Sequence, residues 1–197
     1  MLDRTPQIEG ERWVAVTLSP DDAPALQAFF DANPLYSELA YGRPWPPDTG
    51  VQELAERPPA DWPQGATRHW AVLERGTGRW LALIAFTEDL LAPHVWHLRW
   101  LLVATAEHGS GLAPALDAAW LAHAERAGAR WVRLGVIHGN PRAVAFWARQ
   151  GYVETRLRHD MPYGTRTQTV SVRVKALGDA TLEEYLARVA RDRPESP

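Results

Sequence analysis

Two short stretches carry the residue types for anion and amide chemistry. The first is His108-Gly109-Ser110-Gly111-Leu112-Ala113. An apolar run ends just before it, and a long amphipathic pattern starts at Gly111. A strand, a glycine turn and a helix in that order leave backbone N–H groups without partners at the helix start. The helix dipole favours negative charge there. Such a turn can hold a phosphate or pyrophosphate without a lysine. Taken alone, two glycines before a helix are equally the mark of a tight turn. The second stretch lies one strand further on, from Asn140 through Ala143, Phe146 and Trp147 to Gly151 and Tyr152. Asn140 reads as a helix N-cap and Pro141 as the first helical residue.

Composition narrows the classes. The chain has 197 residues, enough for one domain with a proper core, and it is 46% hydrophobic and 23% charged, ordinary for a globular protein. The formal net charge of −3 argues against a general nucleic-acid binder. Of the 21 basic residues only Lys175 is a lysine, so a local arginine patch stays open. With no cysteine there is no disulfide framework, thiolate nucleophile or cysteine metal site. The N-terminus has no apolar core of the kind a signal peptide needs, and no window nears the ~18 apolar residues of a membrane span. A cytoplasmic protein without membrane or nucleic-acid partners is expected.

The elements that must position these residues follow in order. Residues 12–18 predict a strand, and Ser19-Pro20 starts a helix that runs to about 32. Residues 35–63 are Pro-rich and irregular, with one short helix over 48–56. That stretch is either a binding loop or a surface connection. Residues 69–74 and 79–86 form a hairpin, and 95–103 is a central strand, apolar on both sides apart from His97 and Arg99. Leu112, Leu116, Trp120 and Ala124 recur at spacing four on a helix that stops at Gly128. A strand over 130–137, a helix over 141–150 and strands over 152–158 and 168–176 complete the domain. The expectation is an α/β domain over 1–180, a mixed central sheet with helices on both faces. A short helix capped by Thr181 and a disordered tail are predicted for 181–197.

The two chemical stretches together resemble the GNAT superfamily of N-acetyltransferases. Gly111 and Ala113 match the family's loop, Gly109 matches a glycine that often precedes them, and His108 stands where Gln or Arg is usual. Asn140, Ala143, Phe146, Gly151 and Tyr152 fit the later motif, with Trp147 in place of Tyr. The resemblance implies acetyl-CoA as acyl donor. It places the pyrophosphate on the amides of residues 109–113 (Gly109, Ser110, Gly111, Leu112, Ala113). The pantetheine arm falls beside unpaired backbone at Leu101 and Val103, next to Asn140 and its helix.

The implied chemistry is attack by an amine on a thioester, which needs a base and can use an acid at sulfur. His97 is the candidate base because imidazole titrates near neutrality. It equally reads as a core histidine bonded to a carbonyl. Glu88 is the next candidate, with Asp89, Glu107 and His138 behind it. Trp147 can donate an N–H bond but is not a usable acid. Tyr36, Tyr41 and Trp45 are candidates to line an acceptor site, with Glu38 as a partner for an amine. Three functions fit: an acetyltransferase for a small amine, an acyl-CoA-binding module without turnover, and an acetyltransferase for a protein N-terminus or lysine. A homodimer is compatible with the family.

Overall fold

In a computed structural model, residues 5–196 are described. The outermost residues of the expected 1–180 domain and 181–197 segment lie outside them. One eight-stranded sheet runs in the order β1-β2-β3-β4-β5-β6-β8-β7. Its strands are β1 (Ile8–Glu9), β2 (Trp13–Thr17), β3 (Thr67–Glu74), β4 (Trp80–Thr87), β5 (Val95–Val103), β6 (Trp131–Ile137), β7 (Val153–Tyr163) and β8 (Arg166–Ala176). The helices are α1 (Ala23–Asp31), α2 (Leu35–Tyr41), α3 (Thr49–Ala55), α4 (Leu112–Arg126), α5 (Pro141–Arg149) and α6 (Leu182–Arg188). The mixed α/β sheet with helices on both faces is as the pattern predicts.

The α4 stripe Leu112, Leu116, Trp120 and Ala124 packs on Trp96, Leu98 and Val103 of β5 and on Val132, Leu134 and Val136 of β6. Leu116 and Trp120 are fully buried, and burial of a side chain of that size contributes about 1.5–3 kcal/mol. Ala143, Val144 and Trp147 of α5 join the same face. On the opposite face, Leu26, Phe29 and Phe30 of α1 and Leu54 of α3 cover β2–β5. Further along that face, Tyr185 of α6 and Val189 cover Val95, Trp131 and Val174. A central strand buried on both sides is the reason β5 reads as nearly continuous apolar sequence.

Three departures from the predicted elements have physical causes. The segment read as irregular contains α2, which Gly42 ends in a left-handed turn (φ +69). Tyr36 and Tyr41 of this helix gain ring contacts with Trp100 and Tyr163, which local sequence does not reveal. The β7–β8 hairpin extends to Tyr163 and Arg166, where Thr165 bonds back to Tyr41. In the segment read as a loose tail, Asp192 is fully buried. Its carboxylate accepts two bonds from Arg133 (2.6 and 3.2 Å) and one from the Tyr185 hydroxyl (2.6 Å). Long-range ion pairing holds a segment that composition alone marks as loose.

Candidate active site

The site begins where the sheet forks. Among the described residues, β5 and β6 form the only parallel pair in the sheet, and their register covers only Val95↔Trp131, Trp96↔Val132 and His97↔Arg133. Beyond His97, β5 stays paired to β4 alone, and β6 stays paired to β8. The two strands diverge into a cavity of about 810 Å³ between Leu98–Val103 on one wall and Leu134–Ile137 on the other. Leu101 and Val103 lie on the β5 wall beyond the last β6 pairing, where the Val103 carbonyl is taken by His108.

The glycine turn closes one end of this cavity. A 3-10 turn at Thr105–Glu107 leads into the turn, and Gly109 (φ +86) and Gly111 (φ +83) both adopt the left-handed conformation that favours glycine. A Cβ built on either glycine would meet no protein atom within 4 Å. The room outside the turn is thus empty of protein, as a cradle for a ligand must be. Among the described residues, the amides of Gly109, Gly111 and Ala113 donate to no protein acceptor, while Leu112 N donates to Ser110 Oγ (3.3 Å). Free amides at the start of a fifteen-residue helix suit a pyrophosphate. Leu112 itself is buried in the core under the turn. Gly109, Gly111 and Ala113 line the cavity, and Ser110 and Leu112 do not.

His108 is fixed by two contacts. Its Nε2 lies 3.2 Å from the Val103 carbonyl and its Nδ1 lies 3.3 Å from Arg142 Nη1. Because a guanidinium only donates, Nδ1 accepts, and Nε2–H donates to the carbonyl. The neutral tautomer satisfies both.

The α5 wall follows from its cap. Asn140 Oδ1 accepts from the Ala143 amide (3.1 Å), which starts the helix and turns Ala143, Phe146 and Trp147 to the cavity. Trp147 stands edge-on to Phe146 (centroids 4.8 Å apart) and to Tyr152 (5.0 Å). The Tyr152 hydroxyl donates to buried Asp117 (3.0 Å). Burial pushes the Asp117 carboxyl up to about 6.

On the other side, Tyr36 lines the cavity, edge-on to Trp100 at 5.0 Å. Tyr41 and Trp45 sit behind it, 6.3 and 6.1 Å from its ring. The Trp45 indole is held by the Asn33 carbonyl (3.1 Å). The candidates Tyr36, Tyr41 and Trp45 thus form one aromatic cluster, with Tyr36 alone of the three lining the cavity. Burial first, then Tyr41 and Tyr163, raises the Tyr36 phenol above its ordinary range, so it is a donor. Glu38 does not line the cavity.

Sequence reasoning missed the support beneath this wall. Arg99 points to the α3 side and pairs with Glu53 and with Glu56 (2.7 Å). Glu53 also takes the Trp100 indole N–H (2.9 Å) and stands 3.2 Å from His69 Nε2. Burial opposes the Glu53 charge, but His69, Arg99 and Trp100 outweigh it and hold its pKa below the carboxylate range. A charged residue inside an apolar strand, Arg99, was the available signal.

Of the candidate bases only Glu107 meets the cavity. His97 lies at the closed end of the fork, with Nδ1 3.1 Å from the Arg133 carbonyl. Burial, then the Arg133 charge, pulls its imidazole down to about 3, too low to take a proton from an ammonium group. Glu88 follows β4 and pairs with Arg68 (3.0 Å), away from the cavity. Glu107 does line it, but Arg79 (2.8 Å) and Arg12 bind its carboxylate and hold its pKa down. Asp89 and His138 are not among the lining residues.

Comparison with known proteins agrees with this geometry. Residues 35–152 match the model of the acetyltransferase (GNAT) family, and the chain belongs to that family of acyltransferases. No curated protein matches the sequence significantly. Solved structures share the fold at low identity. An acetyltransferase from Thermus thermophilus has TM-score 0.67 at 20% identity, over 85% of this chain and 98% of that one. The spermidine N-acetyltransferase of Vibrio cholerae, solved with CoA and spermine, has TM-score 0.65 at 18% identity, over 85% and 96%. The ribosomal-protein-S18-alanine N-acetyltransferase of Escherichia coli has TM-score 0.62 at 18% identity, over 86% and 97%. No helix among the described residues is long and apolar enough to cross a membrane.

Proposed function

We propose that the chain transfers an acetyl group from acetyl-CoA to the amine of a small molecule with an apolar or aromatic body. The observation that carries this is the fork of β5 and β6, which opens a cavity directly onto the free amides of the glycine turn. Bound acetyl-CoA would supply an activated thioester acyl group. The residues that would hold it are Gly109, Gly111 and Ala113 at the phosphates, and Leu101, Asn140, Ala143 and Phe146 along the arm. Trp147 offers its indole N–H and Tyr36 its phenol as hydrogen-bond donors at the cavity wall.

The walls of the cavity support the acceptor class. Its one lining carboxylate, Glu107, is already paired with two arginines, and the wall beside α2 carries Leu35, Tyr36, Leu39 and Trp100, with Arg99 already paired to Glu53 and Glu56. A polyamine would find no free carboxylate there. The cover given by α2 and Trp45 favours a small molecule over a protein terminus. With His97 held neutral and Glu107 paired, the amine's proton passes to water in this reading. In turn, Trp147 steadies the cavity without acting as an acid.

The test is calorimetric binding of acetyl-CoA and CoA, followed in the same sample by thiol release on adding amines. Tight binding with release on monoamines of aromatic or branched apolar body, and little on spermidine, is expected. Binding with silence across these amines, spermidine and N-terminal peptides would replace the proposal with an acyl-CoA-binding module.

A further inference from the structure

The sheet edge opposite β1 carries a second cavity, of about 1000 Å³, formed by β7 and the chain's last turn. None of its lining residues lines the fork. Arg158 and Arg191 face it, together with His159, Leu157 and Met161. The charge balance there is uneven. Asp192 is the buried carboxylate of this region, and its two oxygens already accept from Arg133, from the Tyr185 hydroxyl and from Arg158 Nη2 (3.2 Å). Glu154 also lines the cavity, where its carboxylate is bound by Ser171 (2.7 Å) and Arg173 (3.3 Å). Asp160 and Glu195 are exposed and do not line the cavity.

The guanidiniums are left with unused capacity. Arg158 Nε is buried without any hydrogen-bond partner. Arg191 lies 4.0 Å over the Trp62 ring and has no carboxylate within ion-pair distance among the described residues. Burial, then the charge of Arg133, lowers the pKa of both side chains, although Asp192 opposes the shift. Two planar donors over a partly apolar floor suit a planar or tetrahedral anion with a carbon skeleton.

We infer that this cavity binds a small organic anion through its carboxylate or phosphate groups, held by Arg158 and Arg191, at a site separate from the acetyl-transfer cavity. Arg191 stacked on Trp62 fixes one wall, and Leu157 and Met161 receive the ligand's carbon atoms.

The test is calorimetric titration of the full chain with citrate and, separately, with inorganic phosphate, at constant ionic strength in chloride. The two arms distinguish carboxylate from phosphate chemistry. Saturable one-to-one binding of at least one anion is expected. Arg191→Gln, which breaks no ion pair, should weaken it about tenfold or more. Arg158→Gln should show the same loss from the other guanidinium. Gly111→Asp should leave it unchanged, since the glycine turn is a second place where an anion can sit. Unaltered affinity in Arg191→Gln, loss of binding in Gly111→Asp, or no saturable binding of either anion up to about 10 mM would each overturn the site.

Discussion

Replacing Gly111 separates the fold from the phosphate site. Its φ of +83 lies in the left-handed region, and a Cβ there meets no protein atom within 4 Å. Gly111→Ala therefore costs only the backbone term, about 1–2 kcal/mol of stability. Gly111→Asp carries a similar term, softened because Asp tolerates this conformation and is a favoured residue at a helix N-cap. Both variants should fold. Ligand affinity should divide them. A carboxylate placed about 5 Å from a phosphate charge, at an effective dielectric between 20 and 80, is repelled by roughly 1–3 kcal/mol, or about 5- to 150-fold in Kd. Alanine adds a methyl group and no charge, so the gap between Asp and Ala isolates electrostatics. Titration of CoA into each variant by calorimetry measures that gap, and thermal melts check the fold. The gap should shrink as salt is raised to about 0.5 M, where the screening length falls to a few ångströms. Equal CoA affinity in the Ala and Asp variants would refute the assignment of the turn to phosphate.

Trp147→Tyr places a phenol where the chain has an indole that packs on Phe146 and Tyr152; turnover in the thiol-release assay should hold or rise, and a large loss with unchanged CoA binding would make packing its role. His97→Gln should leave the pH–rate profile without a lost inflection between 6 and 8, because the imidazole is already held down to about 3; disappearance of such an inflection would restore His97 as the base. Asp117→Asn should stabilise the fold above pH 6. A carboxyl at about 6 when folded against an ordinary 3.8 favours the folded state when protonated, and that advantage is lost as pH rises through the folded value. The ceiling is about 3 kcal/mol, read from denaturant melts at pH 5 and pH 8, and a variant equally destabilised at both would show that the ionised carboxylate is needed.

What the sequence made legible was whatever is set by short-range pattern. The α4 stripe, the β3–β4 hairpin, the Asn140 cap and the two glycines all depend on periodicity or on one residue's backbone preference, and each appears where the pattern places it. The fork was legible only through the family resemblance. Nothing in the run WHLRWLLV marks the residue where β6 parts from it. The surroundings of the candidate bases were illegible for a related reason. His97 was chosen by residue type and strand position, but its chemistry is decided by Arg133, 36 positions away, whose carbonyl it contacts and whose charge depresses it.

The same long-range logic explains the C-terminus. RDRPESP reads as solvated chain because its charges have no local partners. Arg133 is embedded in β6, where an isolated buried cation would be costly, and Asp192 supplies the missing counter-charge across 59 residues. Arg133 faces His97 at the last paired register before the strands separate. The ion pair that orders the tail therefore also anchors the closed end of the fork. Asp192→Asn would leave the Arg133 charge buried with a weaker partner, at a cost of about 3–5 kcal/mol by the usual penalty for breaking a buried pair. Because the Asp192 carboxyl is held below its ordinary range, although burial opposes that, its contribution is present above the unfolded value and fades as pH falls. Denaturant melts of the variant and the native chain should therefore converge toward acid pH. A difference that stayed constant down to acid pH would mean that the tail is held by packing of Val189 and Tyr185 and not by charge.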